Sequence, residues 1–154
     1  MGQAYTIIRL GGRVPASVFD KLLLVEPDLA AGLRHMQRRK EMGLSPLSLG
    51  KDMSWGEYPT LEKLCRNLGV AYTRTTEAGD DVTPEEAWWF PGMVCAETVY
   101  QGSAGETTID SDEVHKALDA LRKGDTKPAE EYLAFLLKPH EDLPPFELWE
   151  DRKA

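Results

Sequence analysis

Cationic side chains are missing from the middle of this 154-residue chain: between Thr75 and His115 there is neither lysine nor arginine. Cysteine is scarce too. Cys65 and Cys95 are far apart, no Cys-x-x-Cys pair exists, and neither has a histidine close by in sequence. That argues against the usual zinc and redox spacings. It points to reduced, buried thiols in a cytoplasmic protein rather than to a disulfide framework. No apolar run approaches the roughly 18 residues of a membrane span, so no membrane partner is expected. The opening MGQAYTIIRL lacks a basic stretch followed by an apolar one, so no secretory leader is expected. Gly2 with Thr6 alone is thin support for an acylation signal. The glycine spacings of nucleotide-binding loops are absent, since Gly11-Gly12 stands by itself. No cofactor and no metal are therefore expected.

What is present is first a charge map. The cation-free stretch carries Glu77, Asp80, Asp81, Glu85, Glu86, Glu97, Glu106, Asp110, Asp112 and Glu113. That gives it −10 within a net charge of −8, leaving +2 for all other residues. An acidic surface repels phosphates, so nonspecific nucleic-acid binding is not expected. The same block holds Trp88, Trp89, Phe90 and Tyr100. The stretch PEEAWWFPGM puts two tryptophans side by side, and neighbours on a strand point to opposite faces. Either both faces of the sheet are covered, or one ring is left outside as a contact residue; the expectation adopted is that Trp89 is that contact. A smaller feature of opposite sign is GLRHMQRRKEMG, where Arg34, Arg38, Arg39 and Lys40 make a basic patch with Arg34 and Arg38 one helical turn apart. A solvated helix face accounts for it, and an anion-binding patch is the alternative.

Length and patterning predict one α+β domain: a small mixed or antiparallel sheet of about four to five strands packed with about five helices. AYTIIRL reads as a strand broken by Gly11 and Gly12. PASVFDKLLLVE reads as a helix with Pro15 in its first turn, ended by Pro27. DLAAGLRHMQRRKEM is a second helix, buried through Leu29, Leu33 and Met36 and stopped by Gly43. A short strand is expected near Leu47 to Leu49. PTLEKLCRNLG is a helix with Leu61, Leu64, Cys65 and Leu68 on one face, and VAYTRTT a strand. Thr83-Pro84-Glu85-Glu86 has helix-start chemistry, but Pro91-Gly92 leaves it no room, so AWWF is read as a strand. VCAETVYQ and ETTI then form a hairpin around GSAG. DSDEVHKALDALRKG is a helix capped by Asp110, with Val114, Ala117, Leu118 and Leu121 facing the core. KPAEEYLAFLLKP is the last helix. The globular domain is expected to span 1–139, with 140–154 an acidic-aromatic tail carrying Phe146 and Trp149.

Catalytic chemistry finds little support. His115 shares a helix face with Asp112 and Asp119, but that face lies opposite the apolar stripe and reads as solvated. DSDE opens like a calcium loop, yet Val114 stands at a ligand position and no loop glycine follows. Cys65 lies on an apolar helix face near a C-terminal end, where nothing lowers its pKa. LEKLCRNLGV is similar to the first half of a helix-turn-helix, but AYTRTTEAG supplies no recognition helix.

The central and later thirds carry a resemblance. WGEYPTLEKLCRNLGVAYTR, an acidic linker, WWFPGM and SDEVHKALDAL resemble an uncharacterised family of small proteins found in phage and plasmid gene sets. The matching positions are Leu61, Glu62, Cys65, Gly69, Tyr72, Arg74, Phe90, Pro91 and Gly92. The resemblance implies a mobile-element accessory protein and no particular chemistry. Together these features lead to the expectation of a small, acidic, non-enzymatic protein-binding module, an inhibitor or adaptor. It would engage a protein partner with a basic surface through Trp89, Asp80, Asp81, Glu85 and Glu86, with Phe146 and Trp149 from the tail. The alternative is a nucleic-acid or anionic-ligand binder using Arg34, Arg38, Arg39 and Lys40.

Overall fold

In the first strand, Ala4, Thr6, Ile8 and Leu10 are buried while the residues between them are less so, the period of two that one covered sheet face demands. The structure, a computed structural model, describes residues 2–79, 81–100, 109–137 and 142–152. In chain order the elements are β1 (Gln3–Pro15), α1 (Ala16–Val25), α2 (Leu29–Arg39), β2 (Leu47–Ser54), α3 (Pro59–Leu68), β3 (Ala71–Thr76), β4 (Glu85–Trp89), β5 (Glu97–Tyr100), α4 (Ser111–Arg122), α5 (Lys127–Leu137) and β6 (Phe146–Trp149). The class is α+β: an antiparallel sheet in the order β2-β1-β3-β4-β5, with β6 added parallel to the far half of β1.

Gly11 and Gly12 do not end β1. The strand pairs with β2 and β3 up to that point and then with β6 over Gly12–Pro15. Gly12 has φ +92°, open to glycine at little cost, and it lets one strand pass from one set of partners to another. The Gly12 N–H faces the carbonyls of Pro144 and Pro145 at 3.2 Å. β2 runs over Leu47–Ser54, longer than the short strand expected, because its whole length pairs with β1.

Helices α1, α2 and α3 supply Phe19, Leu22, Leu29, Met36, Leu61 and Cys65 to the main core, against Ile8, Leu10, Leu47 and Tyr72 of the sheet. Each fully buried side chain of this size stabilises by ~1.5–3 kcal/mol. α3 ends as its sequence predicts, at Gly69 with φ +77°.

Three further expectations change. The first is the tail: Phe146 is fully buried, its ring 5.6 Å from that of Phe19, and its backbone bonds Gly43 and Ser45 at 2.8 and 2.9 Å. A 1–139 domain with a 140–154 tail does not describe this packing, because β6 completes both sheet and core. The second is α4, which buries none of its residues; Val114, Leu118 and Leu121 are 42%, 39% and 45% exposed. It packs chiefly on α5 instead of on the sheet. The third is Cys95, which is exposed; both cysteines are free. The turn of the hairpin expected around GSAG, and its second arm ETTI apart from Ile109, lie outside the described residues. No helix among those residues is long and apolar enough to cross a membrane.

Candidate functional site

Both tryptophans of the AWWF strand are buried, each about 6% exposed. Trp89 stands beside Tyr72 in the ladder, joins the main core, and donates its indole N–H to the Met93 carbonyl at 3.1 Å. Trp88 is buried on the opposite face, as the pleat requires. The expectation that Trp89 faces a partner is therefore corrected, as is the surface role given to Phe146. Glu85 is withdrawn into the fold as well, since its carboxylate takes Arg74 Nη1 at 2.6 Å. Glu86 is half-buried, Asp81 is exposed at φ +57°, and Asp80 lies outside the described residues. Trp149 is 37% exposed, with the Arg13 guanidinium 5.2 Å from its ring centre. The proposed contact set thus does not form one surface.

Arg74 organises the buried polar chemistry. Central strand β3 carries it under α3, where Nε meets Glu62 at 3.0 Å and Nη1 meets the Gly56 carbonyl at 2.8 Å and Thr76 Oγ1 at 2.9 Å. Glu62 also accepts the Tyr58 N–H at 2.9 Å, closing the first turn of α3. The carboxylates of Glu62 and Glu85 raise the Arg74 pKa above its ordinary value against the opposing cost of burial, so the guanidinium stays charged. This network is a structural clamp: a guanidinium whose side chain is 5% exposed and is held between two carboxylates is a cross-link within the fold and not a surface group. Cys65 is equally unsuited to chemistry, since burial pushes its thiol up to about 12. His115, Asp112 and Asp119 are all exposed on α4. Among the described residues no group of His, Cys, Asp or Glu could hold a metal.

The clamp fixes the edge of a different feature. The turn after β2 places Trp55 at φ +57° and Gly56 at φ +66°. A bulky side chain in the left-handed region carries a local backbone cost. The turn is held at several points. Trp55 N–H donates to the Gly2 carbonyl, its indole lies against the Gly2 backbone, Gly56 is pressed on Thr76, and Arg74 grips the Gly56 carbonyl. The result is a tryptophan that remains 62% exposed. It borders a cavity of about 520 Å³ whose wall includes Glu26, Asp52, Glu57 and the buried Tyr58. Lys51 is the nearby cation, and it is tied to Glu26 at 2.6 Å and Asp28 at 3.1 Å. The Glu26 hydrogen bond is the main cause of its raised pKa. Among the described side chains here, four carboxylates stand against one ammonium, an excess of negative charge.

The start of the cation-free block adds to it. Glu77 N–H bonds the Tyr5 carbonyl at 3.0 Å, and Gly79 sits against Gln3 and Ala4, so the exposed Glu77 and Asp81 lie at the same end. Gln3 also lines the cavity. An aromatic face beside unsaturated carboxylates attracts an ammonium or guanidinium group. Trp55 was missed because its stretch is irregular. The available signal was a Trp-Gly dipeptide between Asp52 and Glu57, where glycine marks a turn that leaves a large ring no strand face to join.

On the basic side, Arg34, Arg38, Arg39 and Lys40 are exposed on and just after α2. Arg39 reaches Glu41 at 3.8 Å, and among the described residues no ion pair joins this patch to the 75–115 block. No family model, curated protein or solved structure matches this chain.

Proposed function

We propose that the protein is a small acidic, non-enzymatic binding module, an inhibitor or adaptor, that engages a basic surface of a protein partner. The observation that carries this reading is Trp55, exposed at φ +57° beside a cavity rimmed by Glu26, Asp52 and Glu57. An aromatic anchor with a charged rim is the composition of a protein interface. The acids would accelerate encounter with a cationic partner, and the cavity would take a lysine or arginine side chain against the indole. The contact surface is thus moved from Trp89 to Trp55, with Glu77 and Asp81 retained at its margin. A cytoplasmic setting suits the two free thiols. The mobile-element part of the reading rests on the sequence resemblance alone.

The experiment is capture from nuclease-treated lysate by the tagged protein and by Trp55→Ala/Asp52→Asn/Glu57→Gln. All three positions are exposed, so the variant is expected to stay folded. The parent should retain a basic partner that the variant loses; capture unchanged by the substitutions would sink the assignment. The exposed Arg34–Lys40 patch, with no ion pair to the acidic block among the described residues, supports the alternative of an anionic ligand. Its signature in the same experiment is a partner that survives the Trp55 change and is lost with Arg34→Ala/Arg38→Ala.

A further inference from the structure

The Trp55 cavity also indicates which cation fits it. Gly2 lies over one face of the indole, since a Cβ there would stand 2.7–2.8 Å from Cδ2, Cε3 and Cε2, three neighbouring atoms of the fused ring. The residue is nevertheless 62% exposed, which leaves the opposite face and the ring edge open. The turn thus presents a flat apolar platform backed by main chain.

Two carboxylates of the cavity wall stand without a cation. Asp52 and Glu57 are both exposed, and among the described residues neither has an ion-pair partner. Glu26 differs: it is buried and holds Lys51 Nζ at 2.6 Å, with Asp28 sharing that ammonium at 3.1 Å. The chain therefore supplies its own ammonium to the most covered of these acids. What is left unfilled is an open indole face and two exposed carboxylates.

That combination selects among cations. A methylated ammonium is recognised by several ring faces arranged as a cage. Among the described wall residues the other aromatic ring is that of Tyr58, which is 1% exposed and donates its hydroxyl to the Thr6 carbonyl at 3.1 Å, so it offers no second face. A lysine ammonium is a compact, strongly hydrated charge that gains little from one flat face. A guanidinium is planar and more weakly hydrated. It stacks on a ring and keeps its N–H donors in plane, aimed outward at carboxylates around the ring.

We propose that the Trp55 cavity is an arginine site: a guanidinium from the protein partner stacks on the open indole face and donates hydrogen bonds to the Asp52 and Glu57 carboxylates. This rests on the reading of the cavity as the partner-binding surface and adds the identity of the side chain that enters it.

The test is titration of the full chain with the Nα-acetyl amides of arginine, lysine and citrulline, the last a neutral isostere of the first. Concentrations up to about 20 mM at constant ionic strength resolve dissociation constants of about 1 mM. The signal is the Trp55 indole N–H resonance in nitrogen–proton correlation spectra, assigned by its loss in Trp55→Phe. The expected result is a saturable Trp55 shift with arginine, at an affinity ~10-fold or more above lysine, and none with citrulline. Asp52→Asn/Glu57→Gln keeps the ring and should weaken arginine binding ~10-fold or more, with the rest of the spectrum unchanged as evidence of folding. Lysine bound as tightly as arginine would overturn the arginine assignment and leave the cationic-partner reading standing. Citrulline bound as tightly as arginine, or an arginine affinity indifferent to the loss of both carboxylates, would also overturn it. So would the absence of any Trp55 shift with all three compounds, whereas the binding surface itself is judged separately by lysate capture with the triple variant.

Discussion

A single guanidinium ties three parts of this molecule together. Arg74, with a side chain 5% exposed, joins β3 to α3 through Glu62, to β4 through Glu85, and to the Trp55–Gly56 turn through the Gly56 carbonyl. Removing one partner of a buried ion pair leaves the others charged and uncompensated, at a cost of ~3–5 kcal/mol. Arg74→Met should therefore lower unfolding stability by about that amount, measured by urea denaturation. Adding Glu62→Gln and Glu85→Gln should restore part of it. A loss below ~1 kcal/mol would mean that the network is a bystander. Arg74 sat in plain view in the sequence, as did Glu62 and Glu85, but nothing there could pair them: twelve and eleven residues separate the partners, and only sheet register and helix docking bring them within 3.0 and 2.6 Å. The tryptophans teach the same lesson in reverse. Alternation correctly sends Trp88 and Trp89 to opposite faces, yet whether a face is covered depends on elements elsewhere in the chain.

At the scale of elements, β6 shows how little local signal a structural segment can carry. DLPPFELWED has two prolines and four acids spread among four apolar residues with no helical or strand-length period, and it reads as a tail. It is nevertheless held by the open edge of β1 beyond Gly12 and by the gap that Phe146 fills beside Phe19. Phe146→Ala should cost ~3–5 kcal/mol in chemical denaturation, as for other large core truncations. Trp149→Ala, which removes a partly exposed ring and its Arg13 contact, should cost about 1 kcal/mol. Equal effects of the two would mean that β6 docks only on the surface. α4 is the converse case. Its amphipathic spacing was legible and its ends fell where capping chemistry put them, from Asp110 to Gly124, but spacing does not say what the apolar side will meet.

For the whole molecule, burial of weakly acidic side chains sets an alkaline limit. Burial pushes Cys65 from 9.0, and Tyr58 and Tyr72 from 10.0, each up to about 12. The unfolded chain releases these protons first, so stability is complete below pH 9 and falls as pH rises from there through about 12. The urea midpoint should drop steadily between about pH 9 and about pH 11, and Cys65→Ala should delay the onset towards pH 10. A midpoint flat across that range would show that these groups titrate normally in the fold. Taken by itself, the sequence determined the α+β class, the helices and most of the strands, and the separation of charge between the 75–115 block and the rest. Each follows from side-chain periodicity, turn residues or counting, which are local properties. The tertiary structure alone decided that both adjacent tryptophans go inside, that Glu85 turns inward to Arg74, that the last strand belongs to the core, and that Trp55 stays out. Those outcomes depend on which surfaces meet across the sheet, and contacts between residues distant in the chain leave no periodic mark on it.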